Sequence, residues 1–426
     1  MVMREAESGA TLPPRRAVAR GGRATFLPFA LPHITQAEID EVVDTLRSGW
    51  LSTGPKTKRL EREFAQAVGA PHAVAVNSAT AALHLALTAL DIGADDEVIA
   101  PVYTFASTAA VIVHCGARPV FVDVDPATCN LDPARLNAAI TPRTRAIIVV
   151  HIAGLPAEMD AILAIARAHG LAVIEDAAHA FPAMYRGRMV GAIGDMTAFS
   201  FYATKTLTTG EGGMLTTDNA DYAQRAAIMA LHGISRDAWK RYSAEGAWFY
   251  EVLEPGFKYN MPDLAASLGL HQLARRQWLH ERRQAIAAQY SCAFSRYEEL
   301  ETPPDPGHVV HAWHLYMLRL RPERLTTSRD NFIHTLAEAN IGTSVHFIPL
   351  HLHPYYRMRY QLAPQDFPNA LDAYLREISL PIYPTMSDDD VADVISAVVG
   401  VVVRDRRRAK RKLRSSARRA VLRSAL

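Results

Sequence analysis

Short apolar runs alternate with longer amphipathic stretches along the first half of the chain. The runs read AVAV (73–76), EVIA (97–100), PVFV (119–122), AIIVV (146–150), LAVI (171–174), TAFSF (197–201) and GMLTT (213–217). Within them apolar residues are continuous rather than alternating, the pattern of strands buried on both faces. Helical spacing fills the intervals at about 79–90, 105–115, 132–139, 157–169 and 219–231. This order predicts an α/β fold with a mostly parallel sheet and helices on both faces. An earlier helix is predicted at 36–48: Ile39, Val42, Val43 and Leu46 keep helical spacing, Thr35 and Glu38 have capping-box spacing, and Gly49 ends it.

The pattern changes after residue 231. Residues 232–260 are irregular and rich in Gly and aromatics, and read as a long loop. A helical stretch at 261–300 links two domains. Beyond it come a strand at 313–320, a helix at 328–340, a short strand at 343–347, and helices at 367–377 and 388–401. The expected division is a disordered extension at 1–25, a large domain at 26–275, a smaller C-terminal α/β domain at 276–403, and a basic tail at 404–426 that is disordered or a frayed helix. No internal repeat is evident.

Composition narrows the class. Of 426 residues, 49% are hydrophobic and 21% charged, which excludes a disordered chain. The net charge of +2 hides a split: 404–426 carries eleven basic residues and one acid, 1–25 carries five and two, and the body between is net −11. An acidic body excludes a nucleic-acid surface. The basic tail fits weak contact with an anionic membrane surface or a solvated extension. No apolar run reaches the roughly 20 residues of a membrane span, and the N-terminus lacks the apolar core of a secretory signal. Cys115, Cys129 and Cys292 are far apart, fitting a reducing cytoplasm and neither a disulfide framework nor a zinc site.

In parallel α/β sheets, ligands sit at the carboxyl ends of the strands. After AVAV comes Asn77-Ser78-Ala79-Thr80, opening a helix. Free N–H groups, hydroxyls and the positive dipole end make an anion site there, or an ordinary helix cap. After LAVI comes Glu175-Asp176-Ala177-Ala178-His179. A buried acid at a strand end needs a cationic partner, from the core or from a ligand. His179, three residues on, faces the same ligand or is a satisfied structural histidine. After TAFSF comes Tyr202-Ala203-Thr204-Lys205, followed by the turn Gly210-Glu211-Gly212-Gly213. A lysine in a partly desolvated cleft has a lowered pKa and serves as nucleophile or base.

Each signal is weak alone. Together they are a phosphate cradle, a strand-end acid and a strand-end lysine, the three things pyridoxal 5'-phosphate requires for its phosphate, its ring nitrogen and its aldehyde. Their order along the chain fits a fold-type I enzyme.

At this point the chain resembles the sugar aminotransferases of the DegT/DnrJ/EryC1/StrS family. The resemblance rests on SGWLSTGP (48–55), NSATAALHLAL (77–87), DEVIAPVYTFASTA (96–109), VFVDVD (120–125), VIEDAAHA (173–180), FSFYATKTLTTGEGGMLTTD (199–218), GFKYNMPDLAASLGLHQL (256–273), HAWHLY (311–316) and PLH (349–351), in family order over residues 26–400. ITPRTRAII and VIEDAAHA look most like the UDP-4-amino-4-deoxy-L-arabinose–oxoglutarate aminotransferase branch.

The resemblance implies a fold-type I, aspartate aminotransferase-like architecture and roles by position. Lys205 looks like the lysine that bonds the cofactor aldehyde, and Asp176 like the partner of the pyridine nitrogen. His179 lies near the phenolic oxygen. Ser78, Ala79 and Thr80, with Ser200, resemble the phosphate-binding set, and Phe105 stands where an aromatic stacks on the ring. Asn260 matches an Asn that reaches the phosphate from a neighbouring subunit, implying a homodimer with shared sites. Members that are sugar dehydratases carry His in place of the lysine, so Lys205 disfavours that reading. The implied reaction moves an amino group from glutamate, giving 2-oxoglutarate, to a nucleotide-linked keto-sugar, a 4-keto sugar foremost, in cell-envelope glycan, antigen or amino-sugar synthesis.

Two other classes stay open: a fold-type I enzyme acting on amino acids, and a non-catalytic regulatory relative. The stretches HVVHAWH (308–314) and HFIPLHLHP (346–354) lack metal-ligand geometry, so no metal is expected; one or two of their histidines are candidates for substrate contact. The Trp-, Tyr- and Arg-containing loop 232–255 would cover the nucleotide or a dimer interface.

Overall fold

The computed structural model describes residues 23–235 and 250–424, and side chains as far as 407. The expected disordered extension therefore lies, for residues 1–22, outside the described residues, as does most of the 232–255 loop.

Seven strands form the large sheet: β1 (His72–Val76), β2 (Glu97–Pro101), β3 (Arg118–Val122), β4 (Thr144–Val150), β5 (Ala172–Asp176), β6 (Met196–Ser200) and β7 (Gly213–Thr217). Their spatial order is β1-β7-β6-β5-β4-β2-β3. β3, β2, β4, β5 and β6 pair in parallel, and β7 runs antiparallel between β6 and β1. The fold is α/β, with the mostly parallel central sheet of fold type I. Its strands are apolar throughout because both faces are covered. In β4, Ile147 and Val149 join a core with Leu60, Phe64 and Phe199. Ala146 and Ile148 join the opposite core with Leu83, Leu87 and Leu215.

The predicted helix 36–48 is Gln36–Ser48, with Gly49 closing it at φ 72°. Glu38 takes the Thr35 N–H at 2.9 Å, completing the cap. Glu38 is buried, and it also accepts from Gln272 at 2.8 Å and pairs with Arg275. Ile39 and Leu46 on this helix remain 47% and 54% exposed, beside exposed Leu31, Ile34 and Leu51.

Several expectations are corrected. The stretch 261–300 is two helices, Asp263–Ala274 and Arg276–Phe294, broken at Arg275 with φ −98° and ψ 9°. The Arg275 side chain is held there by Glu38 and by the His33 carbonyl at 3.2 Å. The strand at 343–347 is only a single bridge, Ser344 to Ser379. A helix at Pro55–Val68 went unread, although Gly54-Pro55 and the spacing of Leu60, Phe64 and Val68 mark it. The strand Glu377–Leu380, also unread, pairs with Tyr316–Leu320 in a second sheet.

The C-terminal core gathers Tyr290, Phe294, Tyr316, Leu318, Phe332, Ile378, Val394 and Val398, together with Leu27 from the start of the described chain. Of the two expectations for the basic segment, the described part takes the helical one: a single helix runs over Asp388–Ser424. Its junction is anchored, because buried Asp405 accepts the N–H and hydroxyl of Thr326 at 2.8 and 2.5 Å. Arg406 adds an ion pair to Glu299, its Nη2 at 2.6 Å. Among the described residues no helix is long and apolar enough to cross a membrane.

Candidate active site

The carboxyl ends of β1, β2, β4, β5 and β6 open on one side of the sheet, and a cavity of about 420 Å³ lies there. Its size suits a small-molecule ligand.

Asp176, the last residue of β5, forms the floor. It is buried, with 5% of its surface exposed. The Thr108 hydroxyl donates to Oδ2 at 2.8 Å and the Ala178 N–H to Oδ1 at 3.2 Å. Burial pushes the carboxyl above its usual range; Thr108, Ala178 and the charge of Lys205 pull against that. On the other face of the same strand, Glu175 is satisfied by His151 at 2.9 Å, the Gly194 N–H at 2.8 Å and the Thr197 hydroxyl at 2.8 Å. Alternation along the strand thus sends one acid to the core and its neighbour to the cavity.

Lys205 follows β6 in a tight turn, its N–H bonded to the Tyr202 carbonyl at 2.9 Å. Its side chain lines the cavity. Burial lowers its pKa to about 8, with Asp176 opposing that shift. A substantial neutral fraction is therefore present near physiological pH, which a nucleophile or base requires.

The loop at the β1 end, expected to hold an anion, is shaped by close packing. The Ser78 side chain accepts the Ala81 N–H at 3.1 Å, so Ser78 is an ordinary cap of the Ala79–Ala89 helix. The N–H groups of Ala79 and Thr80 have no acceptor within that helix and sit at the cavity wall. The helix cap is thus observed, and it leaves the two N–H groups open to the cavity. β7 begins at Gly213, directly against this loop. A Cβ there would lie 2.5 Å from the Ser78 carbonyl carbon and 2.7 Å from the Ala79 nitrogen, so only glycine allows the approach. Ser200, at the end of β6, closes the wall beside it.

His179 is buried, and its Nδ1 accepts the Ala153 N–H at 3.2 Å. The proton of the neutral ring is thereby placed on Nε2. Burial, and then the charge of Lys205, hold the imidazole well below its usual range. His314 lies 4.5 Å away, centroid to centroid, and Phe347 stacks at 5.7 Å. Phe105 sits at the mouth, 59% exposed, 5.9 Å from Phe347.

The structure therefore brings Ser78, Ala79, Thr80, Phe105, Asp176, His179, Ser200 and Lys205 to one cavity. Asn260 does not join them. Its Nδ2 donates to the Thr53 hydroxyl at 2.6 Å, and its buried Oδ1 has no partner. Of the His-rich stretches, His314 and His346 line the cavity. His311 accepts from Trp313, His351 bonds the Pro364 carbonyl, and His353 bonds the Ile348 carbonyl. Thr104, Tyr202, Glu211 and Phe29 also line it without having been singled out. Of these, Thr104, Tyr202 and Glu211 lie just past strand ends or in the turn after Lys205, whereas Phe29 carries no local signal.

Comparison with known proteins agrees with this geometry. Residues 32–399 match the DegT/DnrJ/EryC1/StrS aminotransferase family. The spore coat polysaccharide biosynthesis protein SpsC of Bacillus subtilis is 56% identical over 381 residues, 89% of this chain and 98% of SpsC. Spr1654 of Streptococcus pneumoniae, assigned as a sugar aminotransferase, superposes in its PMP form with TM-score 0.83 at 37% identity, over 89% of this chain and 99% of Spr1654. It has also been solved in a PLP form. PseC of Helicobacter pylori, an aminotransferase in pseudoaminic acid biosynthesis, superposes with TM-score 0.81 at 25% identity, over 89% of this chain and 99% of PseC.

The residues present fit pyridoxal phosphate. The glycine-permitted approach at Gly213 keeps free N–H groups at one wall, a buried carboxylate forms the floor, and a lysine of lowered pKa shares the cavity. Fold, cavity and sequence match agree over nearly the whole body, and the chain belongs to the DegT/DnrJ/EryC1/StrS aminotransferase family.

Proposed function

We propose that this chain is a sugar aminotransferase that moves an amino group from glutamate to a nucleotide-linked keto-sugar, with a 4-keto sugar foremost, in polysaccharide or amino-sugar synthesis in the cytoplasm. Pyridoxal phosphate is the cofactor. The observation carrying the reading is the convergence of Asp176 and Lys205 on one cavity, opposite an open helix N-terminus. SpsC and PseC support the substrate class, since both serve sugar biosynthesis.

When bound, the cofactor supplies an electron sink and carries the amino group between substrates. The residues of this chain do the rest. Ala79 and Thr80 N–H groups, with the Ser200 hydroxyl, anchor the phosphate. Asp176, held by Thr108, keeps the ring nitrogen protonated. Lys205, whose amine has a lowered pKa, would hold the aldehyde and, when its amine is free, would serve as the base for the proton at the donor's Cα. His179 offers its Nε2 proton to the phenolic oxygen. Phe105, which lines the cavity, would stack on the ring.

A homodimer belongs to this reading. The exposed apolar positions Leu31, Ile34, Ile39, Leu46 and Leu51 offer a face for a second copy. Asn260, turned from its own cavity, would serve the cavity of the partner.

The test is direct. The protein is converted to its pyridoxamine form with glutamate, and keto-sugar nucleotides are added one at a time. One of them restores the pyridoxal absorbance. Restoration by 2-oxo acids alone would place the enzyme among amino-acid aminotransferases instead.

A further inference from the structure

His346 lines the cavity, yet its ring is held from outside it. Its Nδ1 lies 2.8 Å from the Ser379 hydroxyl oxygen. That hydroxyl is hydrogen-bonded in turn to Oε1 of Glu377. The other carboxyl oxygen, Oε2, accepts the backbone N–H of His346 at 2.9 Å. Glu377 and Ser379 are both fully buried. Phe29 stacks on the imidazole at 5.4 Å, and the Tyr103 hydroxyl donates to the His346 carbonyl at 2.7 Å. The imidazole edge left for the cavity therefore carries Nε2.

We infer that Glu377, Ser379 and His346 form a proton relay that delivers a proton from a buried carboxylic acid to the substrate cavity. The inference rests on the proposed amino transfer to a ketone, whose oxygen must be protonated before it leaves as water.

The polarity of the chain follows from Glu377. As an acid, Glu377 donates from Oε1 to Ser379, Ser379 donates to His346 Nδ1, and Nε2–H points into the cavity. When the substrate oxygen takes the Nε2 proton, Nδ1 receives the Ser379 proton and Ser379 receives the Glu377 proton. Glu377 is left as carboxylate, and no proton is created or lost. As carboxylate, the chain reverses, and Nε2 offers only a lone pair.

Burial pushes Glu377 up to about 8, against the pull of Ser379, the His346 N–H and Arg329, so the donor polarity prevails at neutral pH. The groups facing Glu377 are Tyr103, Cys129 and Arg329. Those facing His346 are Lys205, His179 and His314, and burial followed by the Lys205 charge lowers His346 to about 4. His346 is thus neutral in either polarity, as a tautomer relay requires.

Glu377→Gln separates relay from scaffold. The amide keeps both hydrogen bonds and holds His346 in the donor tautomer, but cannot surrender a proton. In the acceptor half-reaction, kcat should fall at least about tenfold with KM within about twofold, and the loss of rate above pH 8 should vanish. A merely structural Glu377 would leave kcat and its pH profile as in wild type, which would overturn the relay. Ser379→Thr, keeping the hydroxyl, should retain activity, and Ser379→Ala should lose it. Nitrogen NMR of histidine-labelled holoenzyme, assigned with His346→Gln, reads the tautomer without turnover. Wild type should switch from Nε2–H to Nδ1–H near pH 8, and Glu377→Gln should not. A tautomer unchanged across that range in wild type would also overturn the relay. Absence of turnover with every keto-sugar nucleotide would sink the acceptor assignment, while the NMR switch still decides the relay.

Discussion

The Thr108 hydroxyl donates to Asp176 Oδ2 at 2.8 Å, across 68 positions of sequence and from a helix on the far side of β4. Thr108 is itself bonded to Thr104 at 2.8 Å. A buried carboxylate facing a cavity is costly to keep charged, and this donor helps hold it so. Hydrogen bonds to charged groups contribute about 1.5–3 kcal/mol. Thr108→Val should therefore raise the Asp176 pKa and lower kcat by about tenfold or more. Steady-state kinetics and a pH titration of the cofactor absorbance check both.

Lys205→Ala should purify without the visible absorbance of lysine-bound cofactor and should not turn over. Full activity in this variant would overturn the assigned role. In wild type, burial favours the neutral amine, so its base form grows as pH rises towards about 8. The rate with the amino donor should climb over that range and then level. The acceptor step should move oppositely above pH 8 if Glu377 acts as inferred, so the two half-reactions must be measured separately.

Gly213→Ala should loosen the cofactor. Its methyl would meet the Ser78 carbonyl carbon at 2.5 Å and the Ala79 nitrogen at 2.7 Å, and backbone must yield. Overpacking of this kind costs about 1–3 kcal/mol. The expected result is a cofactor Kd raised about tenfold or more in titrations of apo protein, with Lys205 chemistry otherwise intact.

Truncation should be harmless only beyond the anchored junction. Ending the chain after residue 407 preserves Asp405 with Thr326 and Arg406 with Glu299. Ending it after 403 removes the Asp405 carboxylate from Thr326 and Arg406 from Glu299 and lets water take their place, a loss of about 1 kcal/mol. Asp405→Ala should reproduce that loss. Thermal unfolding of the three variants, beside kinetics, checks this.

Much of the site was legible because its residues lie at strand ends. AVAV, LAVI and TAFSF mark buried strands, and the residues just past them fall on one side of a parallel sheet. Ser78, Asp176 and Lys205 could be read for that reason. Charge density could not separate the two expectations for the tail, disorder or a frayed helix, whereas in the structure buried Asp405 ties the junction to Thr326 on a distant segment. The break at Arg275 was hidden likewise: its neighbours in sequence are helical, and the Glu38 that holds it is 237 residues away.

The order of elements and the strand-end set of a helix opening, an acid and a lysine were determined by the sequence itself, because burial of apolar runs and turn chemistry act over a few residues. Only the tertiary structure decided the rest. It turned Glu175 to the core and Asp176 to the cavity, and it joined Glu377 and Ser379 to His346. It also lowered Lys205 to about 8 and left Asn260 out of its own cavity. Desolvation and charge–charge distance depend on what packing brings together, and packing joins residues that no local pattern relates.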